Sequence, residues 1–263
     1  MLHPHALRFS SVGKLCSRKG QLELVEAFKA VCASHPKELG GSVIALIGGD
    51  RDDPAYADAV RAAAVAPAPA EASRDGGGGQ SDVRLLGSLP HDKTLEVVAA
   101  SDAFLLNSCL ESWAVAPVEA ALRGVPVLST RVGTLDQTLP PEPTIWVGAG
   151  RQAGGVGGKP TTSRSGENAD GDVEGALASV GDWKKALLHF AKDQRRLKIE
   201  AARAVPSLVR RFGQAAMGSR ARAVHMLLET AERGGGFRTH PPAFFRLCGP
   251  VWCPTPLGSQ TAA

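Results

Sequence analysis

No stretch of this 263-residue chain approaches the roughly 18 consecutive apolar residues of a membrane-spanning helix. The opening residues, Met1-Leu2-His3-Pro4-His5-Ala6-Leu7-Arg8, contain no apolar secretory core. Together these absences set a cytoplasmic expectation, with any peripheral membrane association left to a missing domain or a partner. Cysteines are few, scattered and odd in number: Cys16, Cys32, Cys109, Cys248 and Cys253. That argues against a disulfide frame and fits free thiols in a reducing compartment. Cys248 and Cys253 lack the second cysteine pair, or close histidine pair, that a zinc site needs. Lysine and arginine (30) outnumber aspartate and glutamate (26), but they form no single basic block, so nucleic acid is not an expected partner. No Gly-x-Gly-x-x-Gly follows the first expected strand, which argues against a dinucleotide site. Gly76 to Gly79 are not followed by Lys-Ser/Thr, so they read as flexible linker rather than a phosphate-binding P-loop.

What is present is an alternation of apolar runs and helical stripes. Leu7 to Val12 reads as a strand, followed by the basic, glycine-bounded loop Gly13 to Gly20. Gln21 to Ser34 carries Leu22, Val25, Phe28 and Cys32 at helical spacing. Val43 to Ile47 reads as a buried strand ending in Gly48-Gly49, and Ala55 to Val65 as a helix. Val83 to Leu86 is the third strand. A helix opened by Pro90 and Asp92 runs to about Ala100, with Leu95, Val98 and Ala99 inward. Thr144 to Val147 reads as a last short strand. Asp182 is the expected N-cap of a helix to about Lys192. Residues 195–211 read as helix interrupted by Pro206, and Gln214 to Glu232 as a final helix. Low-complexity loops are expected over 66–81 and 148–172, and a disordered tail over 233–263. Short βαβ units imply a parallel, doubly wound α/β sheet with right-handed crossovers.

The chain is organised around residues 103–130. Ala103 to Leu106 is a short apolar run of the kind buried on both faces of a sheet. Asn107 to Ser112 is polar. A helix then starts near Trp113 and Ala114, with Pro117 in its first turn, and Gly124 stops it before Val125 to Ser129. Glu111 precedes that helix and Glu119 lies inside it, with seven residues between them. A helix N-terminus after a buried strand favours anions, and two acids beside it suit a ligand carrying both phosphates and hydroxyls.

Four features occur in order: Val12-Gly13-Lys14-Leu15 with Arg18-Lys19-Gly20; Leu46-Ile47-Gly48-Gly49; Val83-Arg84-Leu85-Leu86-Gly87; and Ser108-Cys109-Leu110-Glu111-Ser112-Trp113, Glu119-Ala120 and Gly124-Val125-Pro126-Val127. From Arg8 to Glu232 the chain resembles the C-terminal, donor-binding domain of retaining GT-B glycosyltransferases of the group 1 / family 4 type. The resemblance implies one Rossmann-like half of a GT-B fold over residues 7–232. It implies a sugar transferred with retention from a nucleotide-sugar, with no metal or cofactor required. It gives Lys19 and Lys14 the donor diphosphate, and Glu111 the hydroxyls of the transferred sugar. The backbone N–H groups around Ser112, Trp113 and Ala114 go to the phosphates, Glu119 to the ribose and Gly87 to the border of the base. Glu111 and Lys19 are the expected catalytic pair. Lys14 stands where the family usually has arginine, which keeps the charge and loses the planar fork. Ala114 stands where the family usually has glycine. Asp50-Arg51-Asp52 is formally an Asp-x-Asp metal motif, but in its acidic turn it needs no metal. The acceptor domain of the family precedes this region. The expectation therefore stays open between a fragment of a longer transferase, a half-enzyme completed by a separate acceptor-domain chain, and a non-catalytic nucleotide-sugar-binding or interaction protein.

Overall fold

The computed structural model describes residues 6–68, 81–111, 113–148 and 177–213. The apolar runs form six short strands: β1 (Arg8–Val12), β2 (Val43–Ile47), β3 (Asp82–Gly87), β4 (Ala103–Leu106), β5 (Val127–Ser129) and β6 (Ile145–Trp146). They lie in one sheet in the order β3-β2-β1-β4-β5-β6, every neighbouring pair parallel. The sheet is thus the doubly wound, Rossmann-like α/β arrangement that the alternation implied. Phe9 on β1 aligns with Ile44 of β2 on one side and Ala103 of β4 on the other. The chain moves outward from β1 to β3, then returns to β4 beside β1, so the winding reverses between these two strands. In open sheets of this order, ligands bind outside the carboxyl ends of the strands at that reversal.

The helices are α1 (Gln21–Ser34), α2 (Pro36–Leu39), α3 (Pro54–Val65), α4 (His91–Ala99), α5 (Val115–Ala121), α6 (Leu135–Thr138) and α7 (Val180–Phe212). Phe9 meets Phe28 of α1 and Phe190 of α7 edge-on, at 5.7 Å and 5.9 Å between ring centroids. Ala103 and Leu105 of β4 join this core. Phe104 and Leu106, also buried, alternate to the other face. There α4 and α5 pack on each other and against β1 and β4.

Several local expectations are corrected. In α1 the buried stripe is Leu24, Val25, Ala27, Phe28, Val31 and Cys32, with Leu22 only partly covered. Lys29 lies on the inner side because its ammonium donates to the carbonyls of Ala63, Ala64 and Ala66, closing the C-terminus of α3. In α4 the buried residues are Thr94 and Val98, Leu95 is partly covered and Ala99 is exposed. Thr94 can face inward because its hydroxyl donates to the Pro90 carbonyl at 3.1 Å. Helix α5 starts at Val115, and α7 runs unbroken through Pro206. The N-cap of α7 is Ser179. Its Oγ accepts from the Asp182 N–H at 3.2 Å, while the Asp182 carboxylate accepts from the Ser179 N–H at 3.2 Å, a reciprocal capping box.

Two compact units divide the chain, Met1–Leu208 and Val209–Ala263, and the sheet lies in the first. The loops within 69–80 and 149–176, the helix expected over 214–232, the tail from 233 with Cys248 and Cys253, and Ser112 lie outside the described residues.

Candidate functional site

The loops leaving β1 and β4 meet at the reversal point. The β1 loop is tied to the end of β2 by the Gly13 N–H to the Ile47 carbonyl (2.9 Å) and the Leu15 N–H to the Gly49 carbonyl (2.8 Å). A 3-10 turn, Ser17–Lys19, then brings the Lys19 side chain back over Gly13. A Cβ there would lie 3.6 Å from its Cε. Gly20 closes the turn at φ 60° and doubles as the N-cap of α1. A Cβ at Gly20 would stand 2.5 Å from the Asn107 carbonyl oxygen, so only glycine fits where the two loops touch.

From the β4 side, the buried Asn107 amide donates to the Gly20 carbonyl (3.1 Å) and accepts from the Ala178 N–H (3.1 Å). The Cys109 N–H donates to the Arg18 carbonyl at 2.9 Å. Thr130 donates to the Ser108 carbonyl at 2.6 Å, and the Ser108 hydroxyl donates to Glu111 Oε1 at 2.8 Å. That same Glu111 oxygen is in an ion pair with Lys19 Nζ, with side-chain exposures of 11% and 17%. Two residues 92 positions apart thus form one largely enclosed acid–base pair.

The other expected residues have partners or settings of their own. Lys14 Nζ is held 2.7 Å from Asp52 Oδ2, with both side chains at least half exposed. Asp50 is paired with Arg61, so each carboxylate of the Asp-x-Asp sequence holds a cation. Glu119 lies in α5 with Oε1 3.3 Å from His91 Nε2. Burial raises the Glu119 pKa, against the opposing charges of His91 and Arg123. Gly87 ends β3 at φ 67° with open space where a Cβ would be. Ala114 is the buried, extended N-cap of α5 and makes no side-chain cap bond, and Trp113 is partly buried. With seven residues α5 offers a short dipole, and Pro117 removes one of its first-turn N–H donors. Among the described residues no three or more His, Cys, Asp or Glu side chains cluster as a metal site.

The sequence motifs contain Gly20 and Ser108 and the polar loop begins at Asn107, but no role was expected of these three residues. The available signal was a polar pair, Asn107-Ser108, directly after a doubly buried strand. Both are essentially fully buried, so their polar groups need partners.

The sequence pattern of the family described as "Glycosyl transferases group 1" matches residues 6–149, more than half of the chain. The chain belongs to this family. Among curated proteins it is 30% identical over 135 residues to the GPI3 subunit of phosphatidylinositol N-acetylglucosaminyltransferase from Saccharomyces cerevisiae (strain YJM789), covering 51% of this chain and 26% of that protein. To an Arabidopsis thaliana subunit of the same transferase it is 31% identical over 134 residues, with the same coverage of 51% and 26%. The names of both relatives call them subunits.

Among solved structures, Anabaena Alr3699/HepE in complex with UDP and glucose superposes with a TM-score of 0.59 at 14% identity, over 86% of this chain and 49% of that one. The sucrose-phosphate synthase of Thermosynechococcus elongatus gives 0.56 at 18% identity, over 87% and 47%. At these identities the likeness is one of fold. The chain spans about a quarter of the length of these curated relatives and about half of these solved chains. Among the described residues no helix is long and apolar enough to cross a membrane.

Proposed function

We propose that this group 1 chain supplies the donor-binding half of a glycosyltransferase that moves a sugar, with retention, from a nucleotide-sugar to an acceptor held by another domain or a partner chain. The observation that carries this reading is the meeting of Lys19, Glu111 and Ser108 at the winding reversal of the sheet. A nucleoside diphosphate leaving a sugar gains negative charge as the glycosidic bond breaks. An ammonium fixed at that point stabilises the charge as it develops. A carboxylate held by Ser108 accepts hydrogen bonds from sugar hydroxyls and orients the ring. Glu119, on the helix after the same strand, takes the ribose hydroxyls. Lys14, on its exposed stem, adds charge to the diphosphate in exchange for its pairing with Asp52. Departing phosphate assists attack from the same face, so no protein nucleophile and no metal is needed.

The named activity of the curated relatives supports a hexosyl-type donor, and the word subunit in their names supports a separate partner chain. The UDP and glucose named with the Anabaena structure of this fold support a ligand with a nucleoside diphosphate and a sugar. Calorimetry with UDP-, GDP- and ADP-sugars tests the proposal on the folded chain. Binding of at least one is expected, and binding of none rejects the donor site.

A further inference from the structure

His91 is the first residue of α4, directly after the Gly87–Pro90 loop that leaves β3. Its Nε2 lies 3.3 Å from Glu119 Oε1 in α5; the imidazole is 70% exposed and the carboxylate side chain 24%. The contact bridges two helices that pack on each other. Few other charges face Glu119. Arg123, on the same stretch of chain, donates to the Glu119 main-chain carbonyl at 3.0 Å, not to the carboxylate. On α4, Lys93 is paired with Glu96, and Asp92 has no ion pair among the described residues. His91 is therefore the basic side chain of α4 that reaches this carboxylate among the described residues.

We propose that His91 is a positioning residue for nucleotide binding, its imidazolium keeping the Glu119 carboxylate ionised and in place to receive the ribose hydroxyls. The inference rests on the reading of Glu119 as the ribose ligand. A carboxylate presents both oxygens purely as acceptors only while it is an anion; once protonated, one of its oxygens becomes a donor. Burial works against the anion of Glu119, and the charge of His91, then that of Arg123, works for it. As pH falls, protonation of Glu119 turns one of its two acceptor oxygens into a donor, and the imidazolium delays that loss to lower pH. An imidazole changes charge between about pH 5 and 8. The contact between His91 and Glu119 therefore counts for more at the acid end of that range than at pH 8.

The test measures UDP affinity of the full chain by calorimetry from pH 5 to pH 8, for the wild type, His91→Gln and Glu119→Gln. Circular dichroism confirms that each is folded. At pH 8, His91→Gln is expected to match the wild type within about twofold. At pH 5 it is expected to bind about two- to fivefold more weakly, the range of a partly exposed ion pair. Glu119→Gln is expected to bind weakly at pH 8 and to lose the added acid dependence. Ionisation of UDP itself is common to all three proteins and cancels in the comparison. Parallel profiles for wild type and His91→Gln, or a loss of equal size at every pH, overturn the inference while leaving the donor site standing. Absence of UDP binding by the folded wild type at every pH overturns both.

Discussion

The Lys19 ammonium faces one oxygen of Glu111, and that oxygen also receives the Ser108 hydroxyl. A diphosphate approaching Lys19 therefore competes with a carboxylate for the same cation. Two substitutions should then have opposite effects. Lys19→Met is expected to weaken every nucleotide by about 1–3 kcal/mol, the size of a lost charged hydrogen bond. Glu111→Gln removes the competitor, so UDP alone should bind as well as before or tighter, while the added affinity of a UDP-sugar over UDP shrinks. Calorimetry with both ligands checks this. Equal weakening of UDP and UDP-sugar by Glu111→Gln would show that the carboxylate supports the diphosphate site rather than the sugar. Glu119→Ala is expected to cost about 1–3 kcal/mol in nucleotide affinity, and unchanged affinity would reduce Glu119 to a surface acid. Lys19, Glu111 and Glu119 were singled out as candidates in the sequence through the ordered motifs that carry the family resemblance. Their partners were not. Nothing local links Asn107 to Gly20 or His91 to Glu119, because each contact is made only when the sheet closes.

At the scale of elements, β2 and β4 were legible because strands covered on both faces read as continuous apolar runs. Helix α7 was misread because a proline is judged locally, whereas the helix is held by tertiary packing. Leu197, Ala201 and Leu208 keep one face buried on both sides of Pro206. Pro206 and Ala202 are exposed, so the carbonyl that loses its N–H partner faces water. A second anchor of α7 is Asp102, which precedes β4. It accepts from the Arg8 N–H at 2.7 Å and is paired with Lys198 of α7. Burial pushes the Asp102 pKa up, but the hydrogen bonds from Lys198 and the Arg8 N–H more than offset it, and the net direction is down. A carboxylate with a depressed folded-state pKa adds stability above its unfolded value, near 4, and that stability is lost as pH falls through the folded-state value. Asp102→Asn is therefore expected to lower the urea midpoint at pH 7 and to differ progressively less from the wild type below about pH 4. A gap independent of pH would assign the effect to packing alone. Gly20→Ala tests the junction of the two site loops. The left-handed backbone and the 2.5 Å approach to the Asn107 carbonyl predict a loss of at least about 2 kcal/mol in urea unfolding.

For the whole molecule, the reversal of winding between β1 and β4 gathers the loop of Lys14 and Lys19 and the loop of Glu111 at one end of the sheet. Glu119 and His91 follow on the helices α5 and α4. Every one of these residues lies in the compact unit Met1–Leu208. Their mutual placement depends on the sheet, on the Gly20–Asn107 junction and on the Asn107 bond to Ala178, just before α7. A chain ended after Gly213 keeps all of these, including the full length of α7. It is expected to bind UDP within about twofold of the complete chain, because the free energy of binding comes from charged hydrogen bonds local to the site. Its unfolding should remain a single cooperative transition, as for one domain with one core. Paired calorimetric titrations and urea melts of the two lengths decide the matter. A shortened chain that stays folded yet loses UDP would place part of the donor site beyond Gly213 and require the assignment of the ribose and diphosphate contacts to be redrawn.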